Sequence, residues 1–240
     1  MYREIKDKFE KIVAEHNLLD DTVTIRAKPL TPKEAIGNPE SEDFPILKGH
    51  ERLIQAEFKG SFGQAFTDMY GDFEGTLQDV LYMELNNNFR RAIFISTLNA
   101  VMRNLGLIEG SVHCKDRGPE ECGQDLVEFL KGCKISRIAL VGFQPVHARC
   151  CSRSHELKIL DLDEENIGKE KFGVVVLDGD KNAKEVLKWC DLALVTGTTV
   201  VNGSIEPILE MAGKKVVFYG ISIAGVAQLF DLNRFCPRST

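Results

Sequence analysis

The sequence lacks the features by which several common classes of protein are recognised. It has no excess of positive charge, since 30 lysines and arginines stand against 36 aspartates and glutamates, a net charge of −6. Nucleic acids and anionic membrane surfaces both demand clustered positive charge, so neither is expected as a partner. No apolar run approaches the roughly 18–20 residues needed to cross a bilayer. The first twenty residues are charged throughout and lack the unbroken apolar stretch of a secretory leader. Regular cysteine spacing is missing too: the seven cysteines are odd in number and irregularly placed, with one adjacent pair, Cys150 and Cys151. A disulfide scaffold is normally short and even-numbered, so free thiols in a reducing cytosol are expected. These absences describe a soluble cytoplasmic protein.

What is present is 240 residues with 43% apolar content, enough for one large core or two small ones. Ile5, Phe9, Ile12, Val13 and His16 recur at helical spacing and predict a first helix. Val23 and Ile25 alternate with polar residues as a short strand. Residues 29–49 read as a long polar loop, of a length that is usually functional. Runs at 53–58 and 64–69 around a glycine-bearing turn at 59–63 predict a hairpin. Helical patterns follow at 77–87 and 89–105, the second with Ala92, Ile95, Leu98 and Met102 on one face. Pro119 suits the first turn of another helix.

From residue 136 the texture changes. Short apolar runs at 138–141, 157–160, 174–177, 192–195 and 216–219 alternate with helical stretches, and each ends near a glycine or aspartate. That is the pattern of a parallel sheet buried on both faces. The expected fold class is α/β: a Rossmann-like parallel-sheet domain at 133–240, preceded by a smaller α+β domain at 1–132. The charge divides along the same line. Residues 1–134 hold 17 basic and 23 acidic groups, whereas 135–240 hold 13 of each. An acidic wall on any cleft between the halves is therefore expected from the first half, suiting a cationic or metal-bearing ligand better than a phosphate.

In parallel sheets, ligands bind beyond the carboxyl ends of the strands. Four such ends stand out: Gly142, Phe143, Gln144 and Pro145; Asp161 and Asp163; Thr196, Gly197, Thr198 and Thr199; and Gly220, Ile221 and Ser222. Glycines there can serve tight turns alone, but the small hydroxyl residues can bind a polar ligand without filling the cleft. The dinucleotide glycine fingerprint is missing, although Asp161 and Asp163 lie about twenty residues beyond Gly142, where a ribose-binding acid would stand. Val226 and Ala227 occupy the positions that a P-loop gives to lysine and serine or threonine. A hydrolase with Ser222 as its nucleophile would need a histidine further along, and none follows His155.

The soft-ligand residues form two sets. Cys114 and Cys122, beside His113, lie where the halves join, and Cys236 lies near the end of the sequence. Their spacing is not that of a zinc finger, so a site would have to be assembled by the fold. His147, Cys151 and His155 fall at four-residue steps, though His155 can lie past the helix end. Buried cysteines are otherwise ordinary small apolar residues. Asn202 can cap a helix or face the cleft. Asn99, in an apolar helix face, must find partners, either joining helix to strand or pointing into the cleft.

The run through Val195, Thr196, Gly197, Thr198, Asn202, Gly203 and Glu206 resembles the signature of the uncharacterised "putative heavy-metal chelation" family. The segment Val141, Gly142, Phe143, Gln144 and Pro145 resembles its first strand-end loop, and Thr97, Leu98, Asn99 and Ala100 resemble its asparagine-bearing helix. The resemblance covers about residues 53–230. It implies a Rossmann-like carboxy-terminal domain, an amino-terminal domain similar to that of enolase, and a ligand site between them. Carried over residue by residue, that site involves Asn99, Gly142, Phe143, Pro145, Thr196, Thr198 and Asn202. After the last strand, Ile221, Ser222, Ile223 and Ala224 depart from the family's proline- and threonine-containing loop.

The leading reading is a protein that handles a small molecule, a metal chelate or a soft or transition metal ion between its halves. Cys114, Cys122 and Cys236 are the candidate metal ligands, and Asn99, Gly142, Phe143, Pro145, Asp161, Asp163, Thr196, Gly197, Thr198, Asn202 and Ser222 are the candidate ligand contacts. The alternative is an enzyme using a nucleotide-type cofactor, methyltransferase- or dehydrogenase-like; a plain interaction module ranks third. No catalytic residue is assigned, and assembly as a homo-oligomer is left open.

Overall fold

The computed structural model describes residues 1–19, 28–37 and 51–240. The strand expected at Val23 and Ile25 and most of the 29–49 loop lie outside the described residues.

Helix α1 (Tyr2–Glu15) forms as its periodicity predicts, burying Ile5, Phe9 and Val13. A two-residue strand, β1 (Lys28–Pro29), and a short helix, α2 (Pro32–Ile36), follow. That helix stands inside the expected loop. Its start is set by a capping box in which Thr31 and Glu34 satisfy each other's backbone N–H groups.

The hairpin pairs β2 (Arg52–Phe58) with β3 (Ser61–Thr67), and β1 adds to β2 as a third antiparallel strand. The turn is tighter than expected, because Phe58 pairs with Ser61. Lys59 and Gly60 bridge them with φ of 47° and 81°, the double positive φ that two-residue hairpins favour.

Helix α3 (Leu77–Tyr82) ends five residues earlier than its pattern suggests. Met83 turns extended there, and Asn87 then caps α4 (Asn88–Asn104) by accepting from the Arg90 N–H. Helix α4 is buried on every side from Ala92 to Met102, not along one stripe, because it packs on β2 and β3 and also on elements of the second half. Its buried hydroxyls on Ser96 and Thr97 donate back to the Ile93 carbonyl. Helix α5 (Gly118–Lys131) follows, with proline in its first turn.

The second half is built on β4 (Arg137–Val141), α6 (Pro145–Ser152), β5 (Glu156–Asp161), β6 (Glu170–Lys171), β7 (Val174–Asp178), α7 (Gly179–Trp189), β8 (Leu192–Thr196), α8 (Thr199–Asn202), α9 (Ile205–Ala212), β9 (Val216–Tyr219), α10 (Ala224–Leu229) and β10 (Arg234–Phe235). All five apolar runs are strands. The sheet order is β10-β9-β8-β4-β5-β7-β6, parallel except for β6. Counted from β4 without the β6 edge, this is the 3-2-1-4-5-6 order of doubly wound sheets. The order reverses between β4 and β8, leaving a crevice beyond their carboxyl ends.

Alternation along the strands sends side chains to two cores. Ile138, Leu140, Leu192, Leu194 and Val217 meet Leu126 and Leu130 of α5 and Ala148 and Cys151 of α6. Ala139, Leu160, Val195 and Phe218 face the other way and join one continuous core with Phe9, Ile54, Phe58, Phe94 and Leu98. The last residues are tied back: Val112 and Thr240 exchange backbone hydrogen bonds of 2.8 and 3.0 Å, and Arg234 donates to the carbonyls of Gly220 and Gly110. No helix among the described residues is long and apolar enough to cross a membrane.

Candidate functional site

The crevice at the switch point opens into a cavity of about 880 Å³, with walls from both halves. Cavities of this size hold small organic ligands. Gly142, Phe143, Asp161, Asp163, Thr196, Gly197, Thr198, Asn202 and Ser222 all line it. Gly142 takes φ of +85°, and a β-carbon there would meet Thr196 Cγ2 at 2.7 Å, so glycine is required for both reasons. The Tyr219 hydroxyl, at the end of β9, reaches past β8 to donate to the Gly142 carbonyl just beyond β4 at 2.7 Å.

Other predicted residues serve the frame. Pro145 is the first buried residue of α6 and is not among the wall residues. Asn99 is completely buried: its Nδ2 donates toward the carbonyls of Gln64, Ile221 and Ser222 and its Oδ1 accepts from the Gly225 N–H. Of the two roles open to it, the structure gives it that of a joint between β3, the loop after β9 and α10. Ser222 Oγ accepts from the Phe66 N–H at 3.0 Å, fastening the same loop to the hairpin. Asn202 closes α8 instead of opening a helix, and its Oδ1 accepts from the N–H and O–H of Ser204. Tyr2 and Arg91 hold that end of α8 by donating to the carbonyls of Val200 and Val201.

Asp161 does not present a bare carboxylate to the cavity. Its Oδ2 accepts from the Phe143 N–H at 2.9 Å, and its Oδ1 from the N–H groups of Leu162 and Asp163 at 2.7 and 3.0 Å. The acid in the ribose-like position is thus spent on shaping two strand-end loops.

Cys114, Cys122 and Cys236 all line the cavity. Burial pushes the Cys114 thiol up to about 12, with the nearby Cys236 thiol adding to the effect. Burial, followed by Cys236 and Cys114, pushes Cys122 up as well. All seven cysteines are free thiols. His147 joins this wall, with Nε2 3.7 Å from Cys122 Sγ and its ring edge-on to Tyr219 at 4.8 Å. Burial lowers its pKa to about 4, so it is neutral at physiological pH. Its Nδ1 is buried without a hydrogen-bond partner among the described residues. His155 lies past the end of α6, and Cys151 belongs to the core beneath. The chemistry of this donor set suits a soft metal. Its geometry is not a finished coordination sphere, because among the described residues no three His, Cys, Asp or Glu groups are arranged to hold an ion.

The acidic wall departs from expectation. Asp161, Asp163, Glu164, Glu165 and Asp180 come from the second half and only Glu51 and Asp68 from the first, and no lysine or arginine lines the cavity among the described residues. Net charge per half misleads here because the first half's acids are spread over its helices, whereas strand-end loops gather theirs at one edge. Glu51 was not singled out by its sequence context. Burial and the charges of Asp161, Asp68 and Asp163 raise its carboxyl to about 7.

A raised carboxyl pKa means that the folded chain holds a proton which the unfolded chain releases from about pH 4.5 upward, so stability falls as pH rises from there through 7. Glu51→Gln is expected to raise the urea midpoint at pH 8 and to leave it unchanged at pH 4. An equal shift at both values would show that this carboxyl is not strained by its neighbours.

No curated protein matches the chain. Solved structures share its fold, two of them from one family. One is a protein of unknown function from the DUF364 family of Pyrococcus horikoshii, with a TM-score of 0.56 and 17% identity, over 90% of this chain and 79% of that one. The other, of the same family and also of unknown function, is from Desulfitobacterium hafniense, with a TM-score of 0.52 and 16% identity, over 95% and 82%. A family model also matches, and it meets the motifs quoted from the strand ends. Over residues 125–233 the chain is similar to the DUF364 family, described as "Putative heavy-metal chelation", the family its strand-end motifs resemble.

Proposed function

We propose that the protein binds a small metal chelate between its Rossmann-like half and its amino-terminal half, with Cys114, Cys122, Cys236 and His147 reaching the metal. The observation that carries this reading is that Cys236 joins Cys114 and Cys122, more than a hundred residues earlier, in the lining of a ligand-sized cavity. A chelate suits the site better than a bare ion. The thiols border one cavity and act on one another through their charge, without a formed coordination sphere, so a metal arriving with ligands of its own needs only one or two from the protein. The free thiols support a reducing, cytosolic setting. The acidic walls favour a small-molecule partner over nucleic acid or a membrane surface. They also oppose a nucleotide-type cofactor, whose phosphates would meet carboxylates and no basic side chain among the described residues.

Buried thiols must lose protons to bind a metal, so affinity is expected to fall as the pH is lowered. The test is an anaerobic titration of the full chain with Co(II), alone and as a small amine or carboxylate chelate, followed by thiolate-to-metal absorption. The expected result is a saturable band that disappears when Cys114, Cys122 and Cys236 are all replaced by serine. A band that survives the triple replacement, or no band with either form of Co(II), would overturn the reading.

A further inference from the structure

The carboxylates of the cavity carry an argument separate from the thiols. Glu51, Asp68, Asp161 and Asp163 line one cavity, and the last three all act on the Glu51 carboxyl through their charge. Like charges gathered against low-dielectric walls focus a negative field, and no lysine or arginine among the described wall residues balances it. Lys171 stacks on the Phe143 ring at 5.4 Å but is not a wall residue.

A small hard cation is poorly matched to this field. It needs several oxygens within about 2.0–2.6 Å, and no three acidic, histidine or cysteine groups among the described residues are so arranged. Several oxygens are already committed: both of Asp161 to backbone N–H groups, Asp163 Oδ1 to the Glu165 N–H, and Asp68 Oδ1 to the Asn88 amide. Glu51 alone of the four has no side-chain hydrogen bond among the described residues. A field without a coordination sphere suits a cation that carries its own N–H donors and tolerates longer contacts. The walls beside it, Phe143 and Tyr219 among them, are aromatic surface of the kind that receives such cations.

His147 supplies an independent sign of a missing polar partner. It lines the cavity at 4% exposure, and its Nδ1 has no hydrogen bond among the described residues. A buried polar atom is rarely left in that state unless a ligand or water completes it.

We propose that the ligand of this cavity is an organic cation, a primary ammonium or guanidinium on an apolar body. Its charged end sits beside Glu51 among Asp68, Asp161 and Asp163, its body lies against Phe143 and Tyr219, and a polar atom reaches His147 Nδ1. This deepens the reading of the cavity as a ligand site but does not depend on the metal.

The test uses metal-free full chain, with calorimetry and thermal shift against phenethylamine, agmatine and spermidine, and against 2-phenylethanol and 3-phenylpropionate as neutral and anionic counterparts. At least one amine or guanidine is expected to bind saturably, about ten-fold or more tighter than the neutral and anionic compounds. Glu51→Gln and Asp68→Asn should each weaken that binding about ten-fold while leaving the Co(II) absorption unchanged. Equal binding of charged and neutral probes, unchanged amine affinity in both variants, or no saturable binding by any amine would each overturn the proposal. Amine binding that fails while the thiol-dependent Co(II) band stands removes only the cation. A band that fails while amine binding stands removes only the metal.

Discussion

Replacing Asn99 by leucine is expected to lower the free energy of unfolding by about 3–5 kcal/mol, although the two side chains share the same branched skeleton. The asparagine amide lies within 3.1–3.3 Å of three carbonyls, those of Gln64, Ile221 and Ser222, and its oxygen accepts from the Gly225 N–H at 2.8 Å. Gly225 lies in the first turn of α10, where backbone N–H groups have no partner within the helix. Leucine would strand that donor and up to three acceptors in a site closed to water, and each orphaned group costs about 1–3 kcal/mol. Urea unfolding with an unchanged slope measures the loss. A loss below about 1 kcal/mol would mean that water or a backbone shift replaces the asparagine. The loop it holds carries Ser222 into the cavity wall, so ligand affinity should fall with stability.

The second large effect is expected at Gly63. A β-carbon there would stand 2.2 Å from the Ala100 nitrogen, 2.3 Å from the Ser96 carbonyl oxygen and 2.7 Å from the Asn99 carbonyl carbon. These are backbone atoms in the middle of a buried helix, so no side chain can swing aside. Gly63→Ala is expected to cost about 3 kcal/mol or more, at or above the top of the usual range for overpacking. Gly60→Ala is the control. Nothing lies within 4 Å of its added carbon, and only the left-handed backbone, with φ of +81°, opposes it, at about 1 kcal/mol. Thermal and urea unfolding of the pair compare contact with conformation. If Gly60→Ala proves the more harmful, the close approach of β3 to α4 is not what glycine serves at position 63.

Much of the second half could be read from its residues. The five apolar runs and the strand-end positions of Gly142, Asp161 and Thr196 follow from local patterns that tertiary structure leaves intact. The capping box of Thr31 and Glu34 was equally readable, but the surrounding prolines and glycines of a long polar stretch obscured it. Helix α4 was legible as a helix and not in its burial, because its surroundings are supplied by strands and helices far along the chain. The meeting of Cys114, Cys122 and Cys236 could be framed only as a question, since nothing in their spacing fixes a tertiary approach. Glu51 gave no local sign at all. Its raised carboxyl arises from burial and from the charges of Asp161, Asp68 and Asp163, two of them more than a hundred residues away.

The single core running from α1 and the hairpin into the parallel sheet governs how the chain folds as well as how it stands. Ala139, Leu160, Val195 and Phe218 meet on one sheet face beneath α7, and the amino-terminal half reaches this core through α8 and α10, against which α4 packs. A fragment beginning at β4 would expose the apolar sides of α8 and α10 that α4 covers, an invitation to self-association. The two halves should consequently melt in one transition, and a molecule bound in the crevice should slow the opening of both together. In kinetic terms the amino-terminal half acts as an intramolecular chaperone for a sheet that it never joins by a strand.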